Sequence, residues 1–291
     1  MIPTSKAKGK GGLRPGESLA AGMRRLARRH LDAACRHLDQ NPDTRKAVHE
    51  ARKSLKKLRA LLRLLAPELG RECYRREMRA FRDAGRLLAP LRDAEVRLHT
   101  LDALMERSGL AAKDFKTIRS GLEADALGLS RQAAEPRRRV CKRLELARRR
   151  VRDWPLGALK EKSLAGEIRR TYRKGRKALR LARREEADVP AFHAWRKRVK
   201  ELWYHLRIAH VFLHQTAGTR IAEIEAIGEL AGEVNDGAVL RATLAAQPAS
   251  PQAARLIAEI DARLPALQQA ALERGDRFYA EKPRDLVRRY F

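Results

Sequence analysis

Aromatic residues make up only 5% of the 291 positions, and β-branched residues are sparse beside Ala, Leu and Arg, so long helices are predicted. No run of eighteen apolar residues occurs, and no segment is expected to cross a membrane. The three cysteines, Cys35, Cys73 and Cys141, stand far apart with no CxxC. Such a set suits buried thiols in a reducing cytoplasm better than disulfides or a zinc site. The sequence also lacks G-x-x-x-x-G-K-[ST], HExxH and GxSxG, and its acids are not clustered as Mg²⁺ ligands for phosphoryl transfer would be. The chain therefore reads as a binding protein, with no catalytic residue, metal or cofactor expected.

Acid is scarce against base. The chain has 65 Lys and Arg against 36 Asp and Glu, a formal charge of +29. Self-repulsion of that size works against a compact state, so a polyanionic partner is implied. Residues 1–154 hold 39 basic and 19 acidic residues, and residues 155–291 hold 26 and 17, so both halves share the bias. The hydrophobic fraction of 44% is enough for a core. At the N-terminus, MIPTSKAKGKGGLRPGES is charged like a signal peptide but lacks the apolar middle, and residues 1–15 read as a flexible basic arm.

Helix punctuation divides the rest. Ser18 caps a first helix that ends near Asn41-Pro42, and Asp43 or Thr44 opens a second, closed by Pro67 and Gly70. A third runs from about Glu72 to Ala89, where Pro90 interrupts before the pattern resumes to Gly109. Further helical pattern fills 113–134 and 136–152, and Trp154-Pro155 marks a boundary.

Beyond it the plan repeats. SLAAGMRR at 18–25 resembles SLAGEIRR at 163–170, VHEARK at 48–53 resembles FHAWRK at 192–197, and RLLAPLRDAEV at 86–96 aligns with ELAGEVNDGAV at 229–239. The offsets are 145, 144 and 143, a constancy that chance matches would not keep. The expected fold is all-α. Two helical bundles, residues 16–154 and 155–291, are expected from the duplication; if they pack about a pseudo-twofold, their basic faces meet in a cavity or groove between them.

The second helix of each half carries the main signal. In the first, Val48, Ala51, Leu55, Leu58, Leu62 and Leu65 form an apolar seam at helical spacing, and His49, Arg52, Lys53, Lys56, Arg59 and Arg63 line the neighbouring face. In the second, His193, Arg196, Lys197, Lys200 and Arg207 stand beside Phe192, Trp195, Val199, Leu202 and Leu206. A solvated face mixes charges to gain i,i+4 pairs, whereas these stripes are almost free of acid and repel themselves. Helix 1 adds Arg24, Arg25 and Arg28, matched by Arg169, Arg170 and Arg173, and the third helix adds Arg79 and Arg82. Arginine grips two phosphate oxygens at once and lysine supplies mobile charge, so the set fits a phosphate polymer. His49 and His193 open the stripes near helix N-termini, where phosphate contact or a local hydrogen bond fits better than metal, for no partner ligand lies at i+3 or i+4. Asp93 and Asp236 each follow an expected helix break, where a lone acid among arginines serves to brace them.

The paired H-x-x-R-K-x-x-K stretches, with L-R-D at 91–93, V-N-D at 234–236 and the late AEKPRDLVRRYF, resemble the CHAD family, the conserved histidine α-helical domain, from about Ser18 to Tyr290. The resemblance implies two pseudo-symmetric helical bundles around a basic cavity, binding of long-chain inorganic polyphosphate, and a cytoplasmic place at polyphosphate granules. It puts that role on the two stripes, with the helix-1 arginines as companions. Trp203 and Tyr204 stand where the first half has Arg59 and Ala60, so the second stripe is less basic. The alternative is binding to a DNA or RNA backbone, which a +29 chain would do weakly in any case. Against it, the stripes lack interleaved aromatics for base stacking.

Overall fold

The computed structural model describes residues 13–14, 16–184, 189–210, 213 and 217–291, and most of the basic arm lies outside them. Leu13 and Arg14, at its end, are described. Leu13 is buried, and its amide donates to the Ile208 carbonyl.

Among the described residues the regular structure is helical throughout. The first half comprises α1 (Leu19–Gln40), α2 (Thr44–Leu64), α3 (Ala66–Leu87), α4 (Ala89–Arg107), α5 (Lys116–Arg131) and α6 (Ala134–Arg150). The second comprises α7 (Glu161–Ala182), α8 (Val189–Ala209), α9 (Ala217–Ala245), α10 (Pro251–Tyr279) and α11 (Pro283–Tyr290). The starts follow capping chemistry. Ser18 accepts from the Ala21 amide and Asp43 from the Lys46 amide, satisfying donors that the first turn leaves free. Gly70 breaks α3 with a φ of 69°, a left-handed conformation open to glycine.

One expectation needs correction. Asp236 does not follow a helix break, because α9 runs unbroken through it from Ala217 to Ala245. The first half has Pro90 at the start of α4, whereas the position 143 residues later is Glu233, which a helix accepts.

Helices α1, α2, α3 and α6 close one four-helix bundle, and α7, α8, α9 and α10 close another, with α11 laid on α7. The bundles meet where α2 packs on α8, and again where the α4–α5 hairpin meets α9 and α10. Every residue of the predicted apolar seams is buried, and the main core runs without interruption from one bundle into the other through Trp154 and Leu156. Each stripe helix thus buries its apolar face in its own bundle, and the two stripe helices pack on each other.

Candidate functional site

The α2–α8 junction is fixed by a buried polar link. His205 on α8 is wholly buried, and its Nε2 lies 3.0 Å from the Ala60 carbonyl of α2. A carbonyl only accepts, so Nε2 carries the proton and Nδ1 accepts from the Thr171 hydroxyl at 3.2 Å. Burial pushes this imidazole down to about 4, so it is neutral at physiological pH.

Beside this link cations of the two stripes come together. Lys56 of α2 has Arg52, Arg196 of α8 and Arg92 of α4 around it, with Asp236 of α9 favouring its charge. Crowding by protein, then these three guanidiniums, lowers its ammonium to about 8. The residue nevertheless keeps contact with solvent. Lys200 is depressed for the same first reason, burial, and then by Arg196; it lies so close to α9 that a Cβ on Gly228 would stand 2.9 Å from its Nζ.

The arginines here are anchored by one edge. Arg52 Nη1 donates to the Gly85 carbonyl at 2.7 Å, and its Nη2 lies 3.7 Å from Asp93 Oδ1, the bracing expected of that acid. The Nε donors of Arg52, Arg59 and Arg196 are buried without a protein acceptor. Arg59 lies near Arg63, Arg52 and Arg82, which extends the first stripe onto α3. Lys53 is exposed and pairs with Glu50 at 3.0 Å, and Lys197 is exposed. Burial first, and then neighbouring cations, hold His49 and His193 below their usual value, and His193 bonds the Asn235 side chain. Among the described residues no three His, Cys, Asp or Glu side chains converge as metal ligands would.

The two sides of the junction differ in charge. On one, Glu201 is buried and lies 3.7 Å from Arg63 and 2.7 Å from Arg198. The positions 144 residues away from Glu201 and Arg63 are Lys57 and Arg207, and these face each other on the other side. Lys57 is depressed by burial, then by Lys53 and Arg207. An ion pair on one side is thus a like-charge pair on the other. Trp203, where the first stripe has Arg59, carries Lys200 and Arg207 each 4.9 Å from its ring centre, so these cations rest partly on a π face.

The helix-1 groups have other settings. Arg24 Nη2 donates to the Trp154 carbonyl at 2.6 Å, tying α1 to the inter-bundle join, and Arg25 pairs with Glu17. Arg28 is exposed in a hollow along α1 with Arg29 and Arg36. Arg169, Arg170 and Arg173 line a separate hollow with Lys282 and Arg284, where Arg170 pairs with Glu167 at 2.6 Å. Arg79 lines a third with Arg71 and Arg75. Sequence reading missed Arg92, Lys57 and Glu201. Arg92 had a signal, since it is the arginine of the L-R-D stretch, whereas Lys57 and Glu201 become visible once α2 and α8 are seen to cross.

A family model described as the CHAD domain matches residues 25–245. The crystal structure of the CHAD domain from the plant Ricinus communis aligns with a TM-score of 0.67, covering 92% of this chain and 94% of that one at 20% identity, a likeness of fold. No curated protein matches the chain in sequence.

Proposed function

The chain belongs to the CHAD family, and on that premise we propose that it binds long-chain inorganic polyphosphate along the α2–α8 junction, as a cytoplasmic binding module at polyphosphate granules and without catalysing a reaction. The observation that carries this reading is the cluster of cations at the junction, where Lys56 and Arg52 of α2 meet Arg196 of α8 and Arg92 of α4. Cations gathered from three helices against their own repulsion are stabilised when a polyanion lies among them. Polyphosphate offers closely spaced negative charge and no bases to read, which suits a row of Arg and Lys with few other contacts. Arg52, held by Gly85 and Asp93, presents a positive charge already fixed in place, so less side-chain freedom is lost on binding.

Competition binding tests this. Labelled long-chain polyphosphate is displaced by unlabelled polyphosphate, single-stranded DNA or duplex DNA at physiological salt, with the wild type run beside an R52A/K53A/R196A/K197A variant. The reading expects polyphosphate to compete orders of magnitude better than either DNA, and the variant to lose it. Equal competition by DNA would show generic charge and transfer the role to nucleic-acid backbones.

A further inference from the structure

The cysteines expected to be isolated include a facing pair. Helices α1 and α6 pack against each other, and three cross-links set their register. Arg148 of α6 pairs with Asp32 of α1, Cys141 meets Cys35, and Arg137 Nε donates to the Leu38 carbonyl at 2.7 Å. Positions ascend along α1 as they descend along α6, so the two helices run antiparallel and the cysteines are held opposite each other from both sides. Each Sγ lies 4.0 Å from the other cysteine's carbonyl oxygen. Each side chain therefore lies against the other's backbone, the proximity that a disulfide needs first.

The two sulfurs have unequal settings. Cys141 is buried, and its thiol donates to Asp39 Oδ1 at 3.2 Å. Its interaction with Cys35, then burial, then Asp39 hold it well above the usual thiol range. Cys35 is partly exposed and is lowered, first because the Cys141 thiol bonds to it, against burial and the carboxylates Asp39, Glu145 and Asp32. Cys35 is the more accessible of the two sulfurs and the one lowered, so the attack falls to it.

We propose that Cys35 and Cys141 form a dithiol oxidation site for hydroperoxides, closing to a disulfide that ties α1 to α6. The Cys35 thiolate attacks the terminal peroxide oxygen, the O–O bond breaks, and the departing alkoxide or hydroxide takes a proton from water. Cys35 is left as a sulfenic acid. The Cys141 sulfur then attacks the Cys35 sulfur; the S–O bond breaks and the S–S bond forms. The Cys141 proton leaves with the displaced hydroxide as water. The dithiol loses two electrons, and the peroxide gains them. Cys73, on α3 and raised by burial, has no such partner thiol and serves as the internal control.

The test treats the reduced full-length protein with hydrogen peroxide and counts thiols after denaturation. The count falls from three to one per chain, and non-reducing peptide mapping recovers a Cys35–Cys141 cross-linked peptide within one chain. With C141S, Cys35 stops at a sulfenic acid that dimedone traps, whereas C35S leaves Cys141 unmodified and C73S cross-links as the wild type does. An unchanged thiol count would overturn the proposal. So would a cross-link through Cys73 or between chains, or over-oxidation of Cys35 with no intramolecular bond. The wild-type experiment needs no variant to fold and no polyphosphate, so its outcome is independent of the binding reading.

Discussion

Raising the pH from about 7 to about 10 should weaken polyphosphate binding, and Lys56 is the group that sets the slope. In the free protein its ammonium loses its proton at about 8, against the usual 10.5, because burial and then Arg52, Arg196 and Arg92 oppose the charge. A phosphate chain among these cations reverses that balance and restores the proton, so binding takes up a proton across this window. Restoring the whole gap corresponds to about 3 kcal/mol. The side chain is exposed, however, and solvent screening reduces this to about 1 kcal/mol, or roughly a fivefold rise in Kd over the window. The assay is anisotropy of labelled long-chain polyphosphate at constant ionic strength, because salt alone shifts affinity through counterion release. K56R separates the causes: arginine keeps its charge throughout, so binding persists and most of the slope disappears. The smaller remainder comes from Lys57 and Lys200, both lowered first by burial. A flat wild-type profile, or an unchanged slope in K56R, would refute the reasoning.

Other expectations concern the fold. His30 and His205 are both pushed down to about 4, chiefly by burial, whereas an unfolded imidazole titrates near 6.5. The unfolded chain therefore binds more protons below that value, and stability present above it is lost as pH falls from about 6.5 to about 4. For the wholly buried His205 the loss is about 3 kcal/mol, read by denaturant titration at stepped pH, and an H205A variant should lack that part of the slope. Glu77 is fully buried and takes Arg150 at 2.7 and 2.9 Å, so E77A should lower unfolding free energy by about 3 kcal/mol in urea. A Cβ on Gly175 would collide with the Tyr279 hydroxyl, and the ring is buried, so G175A should cost about 1–3 kcal/mol by thermal melting. Oxidation at Cys35 and Cys141 closes a loop of about 100 residues, so the oxidised form should gain up to about 4.7 kcal/mol, a smaller gain meaning strain in the bond.

Much of the helical plan was legible because helices write their faces into sequence at short range. Val48 to Leu65 and Phe192 to Leu206 showed both the buried seam and the stripe beside it, and Ser18 and Asp43 announced their caps. The break before Asp93 was legible through Pro90, but extending it to Asp236 relied on alignment, and Glu233 lets the helix continue. Contacts between distant helices were not legible. Nothing local to Cys35 places it against Cys141, since the packing of α1 on α6 does so. Arg24 looks like its stripe counterparts until Trp154 presents a carbonyl to it. Likewise His205 reads as an ordinary polar position until Ala60 and Thr171 enclose it.

The exchange of Glu201 and Arg63 for Lys57 and Arg207 matters for motion as well as affinity. A uniform phosphate polymer on a row of interchangeable cations has no preferred register, because sliding by one phosphate recreates nearly the same contacts. Such a chain, once held, diffuses along its host without letting go. Glu201 interrupts that equivalence on one side of the junction, where a sliding phosphate meets a buried carboxylate already claimed by Arg63 and Arg198. The side carrying Lys57 and Arg207 has a lysine in place of that buried acid, with Glu225 4.0 Å from Arg207. A molecule whose halves look alike would then hold the polymer differently on the two sides of its junction.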